Sequence, residues 1–253
     1  MTRDNGTPGY LIGGASGGIG SRLARSLAEK GARLHLAGRR RDPLEELAEE
    51  LDCSFTTVDG KHFDRVDRLV ATALEELGGL DGAVNCAGSL LLKPAHLTSE
   101  REYQRVLDDN LTTAFALIRA LARHVRRGPL SLVLLSSAVA RIGLANHEAI
   151  AAAKAGVAGL ARSAAATYAR RGFRVNAVAP GLVETPLTEQ IVSRDAARQA
   201  SLALHPLGRF GEAADVAGLI AWLLSDEASW MTGEMLHMDG GLAGGKTLAA
   251  GGG

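Results

Sequence analysis

The fold is decided by the stretch YLIGGASGGIG, which occupies residues 10–20. It begins as a short apolar run that ends in two glycines, and from Ile19 onward apolar residues recur at Leu23 and Leu27 until Gly31. A short apolar run bounded by glycine is typical of a buried strand, and the later spacing is typical of one face of a helix. The stretch therefore predicts a strand, a tight glycine turn and a helix in succession.

The same alternation continues along the chain. It predicts strands over residues 33–37, 55–58, 82–85, 130–135, 174–179 and 234–238, and helices over 43–51, 63–77, 100–122 and 149–168. The segment after Pro180 and Gly181 is predicted to be irregular as far as the last strand. Strands that alternate with long helices need right-handed crossovers, so we expect an α/β fold with a doubly wound parallel sheet covered by helices on both faces.

Composition narrows the class of protein. Hydrophobic residues make up 46% of the 253 and charged residues 22%, and the 28 basic and 28 acidic residues cancel. No net charge attracts nucleic acid or an anionic membrane, and there is no apolar run of membrane-spanning length. Two widely separated cysteines favour reduced thiols in a cytoplasmic protein, and the seven histidines form no metal-ligand spacing. No linker divides the chain, which predicts one domain over residues 1–253 with a mobile glycine-rich tail at 244–253.

The glycine turn predicts a nucleotide site. Gly14, Gly18 and Gly20 form the spacing G-x3-G-x-G where the first strand meets the first helix. Glycine allows a tight turn there and lets the backbone approach a pyrophosphate at the helix N-terminus. We therefore expect a dinucleotide cofactor at this turn.

The end of the second strand predicts which dinucleotide binds. Sites that select NAD place a carboxylate there for the ribose diol, whereas this chain has Gly38 followed by Arg39 and Arg40. Two guanidinium groups can pair with a 2′-phosphate, and no carboxylate in this loop repels it. The sequence thus predicts NADP(H) as cofactor.

At this point the chain resembles the short-chain dehydrogenase/reductase family over residues 10–241. The resemblance is carried by the glycine segment 13–20, by Asn85-Cys86-Ala87-Gly88 and by Pro180-Gly181. It implies cofactor contacts from Gly14, Ser16, Gly18, Ile19, Gly20, Asp59, Asn85, Ala87, Gly88, Lys154, Pro180, Gly181, Val183 and Thr185. It also implies a seven-stranded sheet of order 3-2-1-4-5-6-7, and homotetramers or dimers joined through the fourth and fifth helices.

The catalytic centre departs from that family. The family pattern is Ser, then Tyr 13 residues later, then Lys four residues after it; here Ser137 and Lys154 match but Ile150 occupies the tyrosine position. Isoleucine cannot transfer a proton, whereas His147, one helical turn earlier, can do so near neutral pH. The resemblance further implies that Asn110 supports a proton-relay water. The candidate catalytic residues are thus Asn110, Ser137, His147 and Lys154, and His147 is also open to a reading in which it only shapes the pocket.

Three functions remain open from the sequence. The first is NADP(H)-dependent hydride transfer to or from a small carbonyl or hydroxyl compound. The second is reduction of a conjugated C=C bond, as in enoyl or dienoyl thioesters, and the third is NADP(H) binding with little or no turnover. Residues 187–207, with apolar Leu187, Ile191, Leu202 and Leu204, are predicted to form a substrate lid.

The arginine pair gives the first testable prediction. Because Arg39 and Arg40 can pair with a 2′-phosphate, we expect a lower Kd for NADPH than for NADH in a direct titration of the purified protein. Equal affinity for the two cofactors would contradict the interpretation of this loop.

Overall fold

The computed structural model describes residues 6–245, and these form one mixed succession of strands and helices. The strands are β1 (Gly9–Gly13), β2 (Arg33–Gly38), β3 (Ser54–Thr57), β4 (Gly82–Asn85), β5 (Leu130–Leu135), β6 (Phe173–Pro180) and β7 (Met235–Met238). The helices are α1 (Gly18–Glu29), α2 (Arg41–Glu50), α3 (Phe63–Glu76), α4 (Glu100–Leu107), α5 (Thr113–His124), α6 (Glu148–Tyr168), α7 (Glu189–Val192), α8 (Asp195–Ala203) and α9 (Ala213–Leu224). Residues 246–253, most of the predicted mobile tail, lie outside the described part of the chain.

The strands form one parallel sheet with the order β3-β2-β1-β4-β5-β6-β7. This confirms the fold class and the strand order that the family resemblance implied. The order reverses direction between β1 and β4, which are neighbours in register from Tyr10 and Gly82 to Gly13 and Asn85. A crevice at the carboxyl ends of the strands is expected at such a reversal.

The two faces of the sheet bury separate apolar cores because side chains alternate along each strand. On β5, Leu132 and Leu134 join the core formed with α3, α5 and α6. The next residues, Val133 and Leu135, join the core formed with α1, α2 and α9. A strand that is apolar at every position but one, as β5 is with Ser131 the exception, therefore lies where helices cover both faces of the sheet.

The predicted helix over 100–122 is wrong as a single element. It is divided into α4 and α5 by a π-helical turn, Asp108–Thr112, which adds one residue to the turn and rotates the side chains that follow. Such turns occur often at functional sites. Here the turn contains Asn110, which is buried.

The irregular segment predicted after Gly181 is also wrong in part, because it contains α7, α8 and α9. Helix α9, sequence AADVAGLIAWLL, is apolar on nearly every side and lacks the polar stripe that marks a surface helix. Its existence depends on burial against the sheet and α1 rather than on a sequence period. None of the helices among residues 6–245 is long and apolar enough to cross a bilayer.

Helix α9 gives the second prediction. Ile220 has no solvent exposure, so Ile220→Ala should lower the free energy of unfolding by about 2–5 kcal/mol through lost burial and a cavity. Gly218 lies on the same helix, is exposed and has open space where a Cβ would stand, so Gly218→Ala should raise stability by up to about 1 kcal/mol. Denaturant titration of both variants measures these changes. Similar losses in the two would show that α9 is not packed as described.

Candidate active site

A continuous groove runs along the carboxyl ends of the strands. It consists of two cavities of about 220 Å³ and about 390 Å³, and the loop after β4 lines both of them through Cys86, Ala87 and Gly88. The smaller cavity extends toward β2 and β3, and the larger one toward β5, α6 and the lid segment. The groove therefore extends to both sides of the point between β1 and β4 where the strand order reverses. This shape suits an extended ligand with two halves.

The glycine turn forms the floor at the middle of this groove. Gly14 has φ +71°, and a Cβ there would lie 2.5 Å from the backbone nitrogen of Ala87. A Cβ on Gly20 would lie 2.4 Å from the Gly14 carbonyl oxygen, so this glycine lets α1 approach the turn. Helix α1 starts without a side-chain cap and without an acidic residue in its first turn. Its first amide groups and the positive end of its dipole are thus available to an anion.

The smaller cavity contains the residues predicted for the adenosine half of the cofactor. Arg39 and Arg40 line it beside Asp59, and one N–H of Arg40 donates to the Ser16 carbonyl over 3.2 Å. Burial alone would raise the pKa of Asp59, but hydrogen bonds and charge from Lys61 hold that pKa below its usual value. Asp59 is therefore an ionised acceptor at the cavity wall.

Asn85 fixes the loop that joins the two cavities. Its side-chain oxygen accepts from the Ala87 amide over 3.1 Å, and its side-chain nitrogen donates to the Thr113 hydroxyl over 3.2 Å. The loop after β4 is consequently tied both to its own strand and to α5. This holds the backbone of Ala87 and Gly88 at the centre of the groove.

The larger cavity brings together all four candidate catalytic residues. Asn110, Ser137, His147 and Lys154 line it, and so does Ile150. Gly88 lies between two of them, since a Cβ there would be 2.9 Å from Asn110 Oδ1 and 3.5 Å from Lys154 Nζ. The structure thus gathers side chains that are up to 44 positions apart in the sequence.

Lys154 is a buried amine at the base of the cavity. Its Nζ donates to the Leu135 carbonyl over 2.8 Å, and only 8% of the residue is exposed. Burial lowers its pKa from 10.5 to about 8, because the ammonium form loses hydration there. The lysine is still mainly protonated at neutral pH, and it loses its proton as the pH rises through 8.

The two serines after β5 have different roles. Ser136 is buried, and its hydroxyl donates to the Lys154 carbonyl over 2.8 Å, which attaches α6 to the strand end. Ser137 is half-buried, and its hydroxyl makes only long contacts within residues 6–245. It donates to the Pro180 carbonyl over 3.5 Å and accepts from the Val139 amide over 3.4 Å. Of the pair, Ser137 is the one with a hydroxyl available to a ligand.

Asn110 is held rigidly by the π-helical turn. Its side-chain nitrogen donates to the Val106 carbonyl over 2.9 Å and to the Ser89 carbonyl over 3.2 Å, while its oxygen accepts from the Ser89 amide over 3.3 Å. These bonds tie α4 to the loop that follows β4. Asn110 therefore fixes one wall of the cavity beside Lys154.

His147 is the N-cap residue immediately before α6, whereas Ile150 and Lys154 lie within that helix. It still lines the same cavity as Ile150 and Lys154. Its Nδ1 lies 2.7 Å from the Ala145 carbonyl, which can only accept, so Nδ1 carries the proton and Nε2 remains free in the neutral ring. Ile150, in contrast, is only 3% exposed and belongs to an apolar cluster with Val106, Ala149 and Ala153.

Residues 187–207, the segment predicted to form a substrate lid, contribute apolar walls to the larger cavity. Leu187, Ile191 and Leu204 line the larger cavity, as do Leu90, Leu92, Val139 and Leu144 from the other side. Leu202, also expected in the lid face, is not among the lining residues. His205 anchors the segment, because its Nε2 accepts from the Leu182 amide over 3.1 Å and its Nδ1 donates to the Ser201 carbonyl over 2.8 Å.

Comparison with known proteins decides the family. A protein-family model described as enoyl-(acyl carrier protein) reductase matches residues 14–243. A 3beta-hydroxysteroid dehydrogenase of Eggerthella lenta is 37% identical, with 92% of each chain covered. A short-chain type dehydrogenase/reductase from Mycobacterium ulcerans superimposes with a TM-score of 0.90 at 31% identity, covering 93% of this chain and 90% of that one.

The chain belongs to the short-chain dehydrogenase/reductase family. Another structural relative is an actinorhodin polyketide ketoreductase solved with NADPH, with a TM-score of 0.88 at 28% identity and coverage of 94% of this chain and 98% of that one. The relatives named here are oxidoreductases of this family.

The groove fits the nicotinamide dinucleotide of short-chain dehydrogenases/reductases. Of the residues predicted to contact it, only Gly18 and Gly20 do not line either cavity. Both act through the backbone: a Cβ on Gly18 would lie 2.7 Å from Thr185 Cγ2, so that glycine lets the loop after β6 approach α1. Within residues 6–245, no cluster of three or more His, Cys, Asp or Glu could hold a metal ion.

Two residues of this family member were missed by the sequence analysis. Asp109, beside Asn110, lines the smaller cavity and accepts from Arg39 Nη1 over 2.9 Å. Cys86 lines both cavities, and burial raises the pKa of its thiol to about 12. The sequence signal for Cys86 was its position within the Asn85–Gly88 motif, whereas nothing in the local sequence connects Asp109 with an arginine 70 positions away.

The third prediction concerns the buried lysine. The family resemblance implies that Lys154 donates to the nicotinamide ribose, and a charged amine is the better donor. The Kd for NADPH should therefore rise by about fivefold or more between about pH 7 and about pH 9.5, as Lys154 loses its proton. Lys154→Met should bind more weakly at neutral pH and lack this pH dependence. Parallel pH profiles for the two proteins would show that Lys154 is not the titrating group.

Proposed function

We propose that this protein is an NADP(H)-dependent oxidoreductase that transfers hydride to or from a small, largely apolar carbonyl or hydroxyl compound. The observation that carries the proposal is the groove itself. It joins an arginine-lined cavity to a cavity that holds Ser137, His147 and Lys154, with the glycine turn between them. An NADPH-bound ketoreductase and a hydroxysteroid dehydrogenase among its relatives support the same type of reaction.

The choice of NADP(H) is supported by charge. Arg39 and Arg40 both line the cavity at the end of β2, and no acidic residue occurs between Gly38 and Arg41. A guanidinium group pairs with a phosphate through two parallel hydrogen bonds, and this geometry suits a 2′-phosphate better than a ribose diol. The loop therefore favours the phosphorylated cofactor.

The bound cofactor would supply or accept the hydride at the larger cavity. Lys154, protonated at neutral pH, would donate to ribose hydroxyls and place a positive charge beside the reacting oxygen. Ser137 would donate its hydroxyl to that oxygen, because its present contacts are long. Asn110 holds the wall next to Lys154, and the apolar lid side chains would exclude water.

The oxygen also needs a proton, and Ile150 cannot provide one. His147 has a ring nitrogen, Nε2, that makes none of the hydrogen bonds described above, and the bond from Nδ1 to Ala145 fixes its neutral tautomer. The imidazolium form can donate at Nε2 and the neutral form can accept there, so the ring can work in either direction. We assign the acid/base role to His147.

A second candidate is reduction of a conjugated C=C bond. It is favoured by the buried Ile150, which places an apolar surface where a hydroxyl proton donor would otherwise stand. The matching family model is itself described as an enoyl reductase. Hydride would then reach the β-carbon and the α-carbon would take up the proton, so no alcohol oxygen would need a proton donor at position 150.

A substrate panel separates these functions. NADPH oxidation is measured with ketones, aldehydes and α,β-unsaturated thioesters of matched carbon number. Turnover of the ketones or aldehydes alone supports the first proposal, and turnover of the α,β-unsaturated thioesters alone replaces it with the second. Tight NADPH binding with no turnover of any class would indicate a nucleotide-binding protein without the enzyme activity.

The proposal also includes assembly into dimers or tetramers, which the family resemblance implies.

The fourth prediction tests His147. His147→Ala should lower kcat for the best carbonyl substrate by at least about 100-fold, the usual scale of a lost acid/base group, while the Kd for NADPH changes by less than about twofold. Glu148→Ala is the matched control, since Glu148 is the exposed neighbour that does not line the cavity, and it should keep its rate. An unchanged rate in His147→Ala would remove this residue from the mechanism.

A further inference from the structure

The smaller cavity contains a carboxylate for which the proposed function has no use so far. Asp109 lies in the π-helical turn between α4 and α5, and only 7% of its side chain is exposed. Its Oδ1 accepts from Arg39 Nη1 over 2.9 Å, and both residues line the cavity. The ion pair therefore joins the loop after β2 to the π-helical turn on the opposite wall of the cavity. An adenosine ribose would lie at this place.

The pair is strongly asymmetric. The Arg39 side chain is 51% exposed, whereas the carboxylate is buried and its Oδ2 has no hydrogen-bond partner within the described residues. The next cation, Arg105, places its Nε 3.7 Å from Oδ2, and its side chain is 77% exposed. A buried carboxylate that loses its paired donor is costly, which favours the paired state. Because Asp109 is enclosed and Arg39 is a long exposed side chain, the ion pair mainly restricts the conformations of Arg39.

This attachment leaves most of the guanidinium free. Arginine has five N–H donors in a planar fork, and the contact with Asp109 uses one of them. The remaining donors can meet a phosphate while Nη1 stays on the carboxylate. A long exposed side chain that is already fixed in one orientation also loses less conformational freedom when a ligand arrives.

We propose that Asp109 is a positioning residue for cofactor selectivity, which holds Arg39 at the cavity so that its free N–H groups receive the 2′-phosphate of NADP(H). The inference rests on the proposed function, because it needs the dinucleotide in this groove. It goes beyond that function because it makes cofactor selectivity depend on a residue of the π-helical turn as well as on the arginines of the loop after β2.

The alternative to positioning is that Asp109 weakens the binding of the 2′-phosphate. A carboxylate near a phosphate could repel it and compete for Arg39, in which case removing the charge would strengthen NADPH binding. The geometry favours positioning, since Arg39 can serve both anions through different nitrogens and Asp109 is neutralised by Arg39 and Arg105. The two effects have opposite signs, so a binding experiment distinguishes them.

The fifth prediction is the effect of Asp109→Asn on the ratio of the Kd for NADH to the Kd for NADPH, measured by fluorescence titration. The variant keeps the size of the side chain but loses its charge, and we expect the ratio to fall by about fivefold or more. Asp108→Asn is the matched control. This variant removes the same charge from the same turn, but Asp108 Oδ1 accepts from Gln104 and Thr112 rather than from Arg39. The ratio of the two Kd values in Asp108→Asn should therefore stay within about twofold of wild type.

Arg39→Lys provides a second test that leaves Asp109 in place and keeps a positive charge beside it. A lysine ammonium keeps the charge but lacks the fork that bridges two anions, so the ratio should fall in this variant as well. An unchanged or increased ratio in Asp109→Asn would overturn the inference. If that variant fails to fold, a wild-type ratio in Arg39→Lys overturns it instead. Wild-type protein that binds neither cofactor would refute the proposed function itself, which is a separate result from an altered ratio.

Discussion

The structure depends on the close approach of the first glycine turn to the loop after β4. Gly14 and the Ala87 backbone are so near that no side chain fits between them, and Gly20 brings α1 equally close to the same turn. This contact fixes the two central strands, the start of α1 and the floor of the groove in one arrangement. Every other site residue is placed relative to it, because the order of the sheet reverses at this point.

The groove on either side of that contact has two different electrostatic characters. Toward β2 it is lined by arginines that are exposed enough to meet an anion, and Asp109 is the buried counter-charge on the helical wall. Toward β5 it is largely apolar, and burial lowers the pKa of Lys154 to about 8. The half toward β2 would thus suit an anionic nucleotide, and the half toward β5 would suit an apolar substrate.

The catalytic half combines family residues with a local substitution. Ser137 lies just after β5, Asn110 in the π-helical turn and Lys154 in α6. Hydrogen bonds from the side chains of Asn110 and Lys154 to backbone carbonyls hold these two residues in place. Ile150 has become part of an apolar cluster, so the cavity wall there is packed rather than empty. Under the proposed function, the proton would come from the rim of the cavity, where His147 lies. In the second candidate reaction, no oxygen would need one.

The sequence alone determined the β1-turn-α1 unit and, with the family resemblance, the sheet order, because glycine spacing and apolar periodicity are local signals. It also located the residues at the strand ends that line the groove, since in a parallel sheet those ends meet at one edge. Only the tertiary structure decided the rest. Helix α9 has no polar stripe that would reveal it in the sequence. The π-helical turn shifts the helical register by one residue, which is too small a change for periodicity to show. Asp109 contacts Arg39 only after the chain has folded. These features arise from contacts between residues far apart in the chain, which no local pattern encodes.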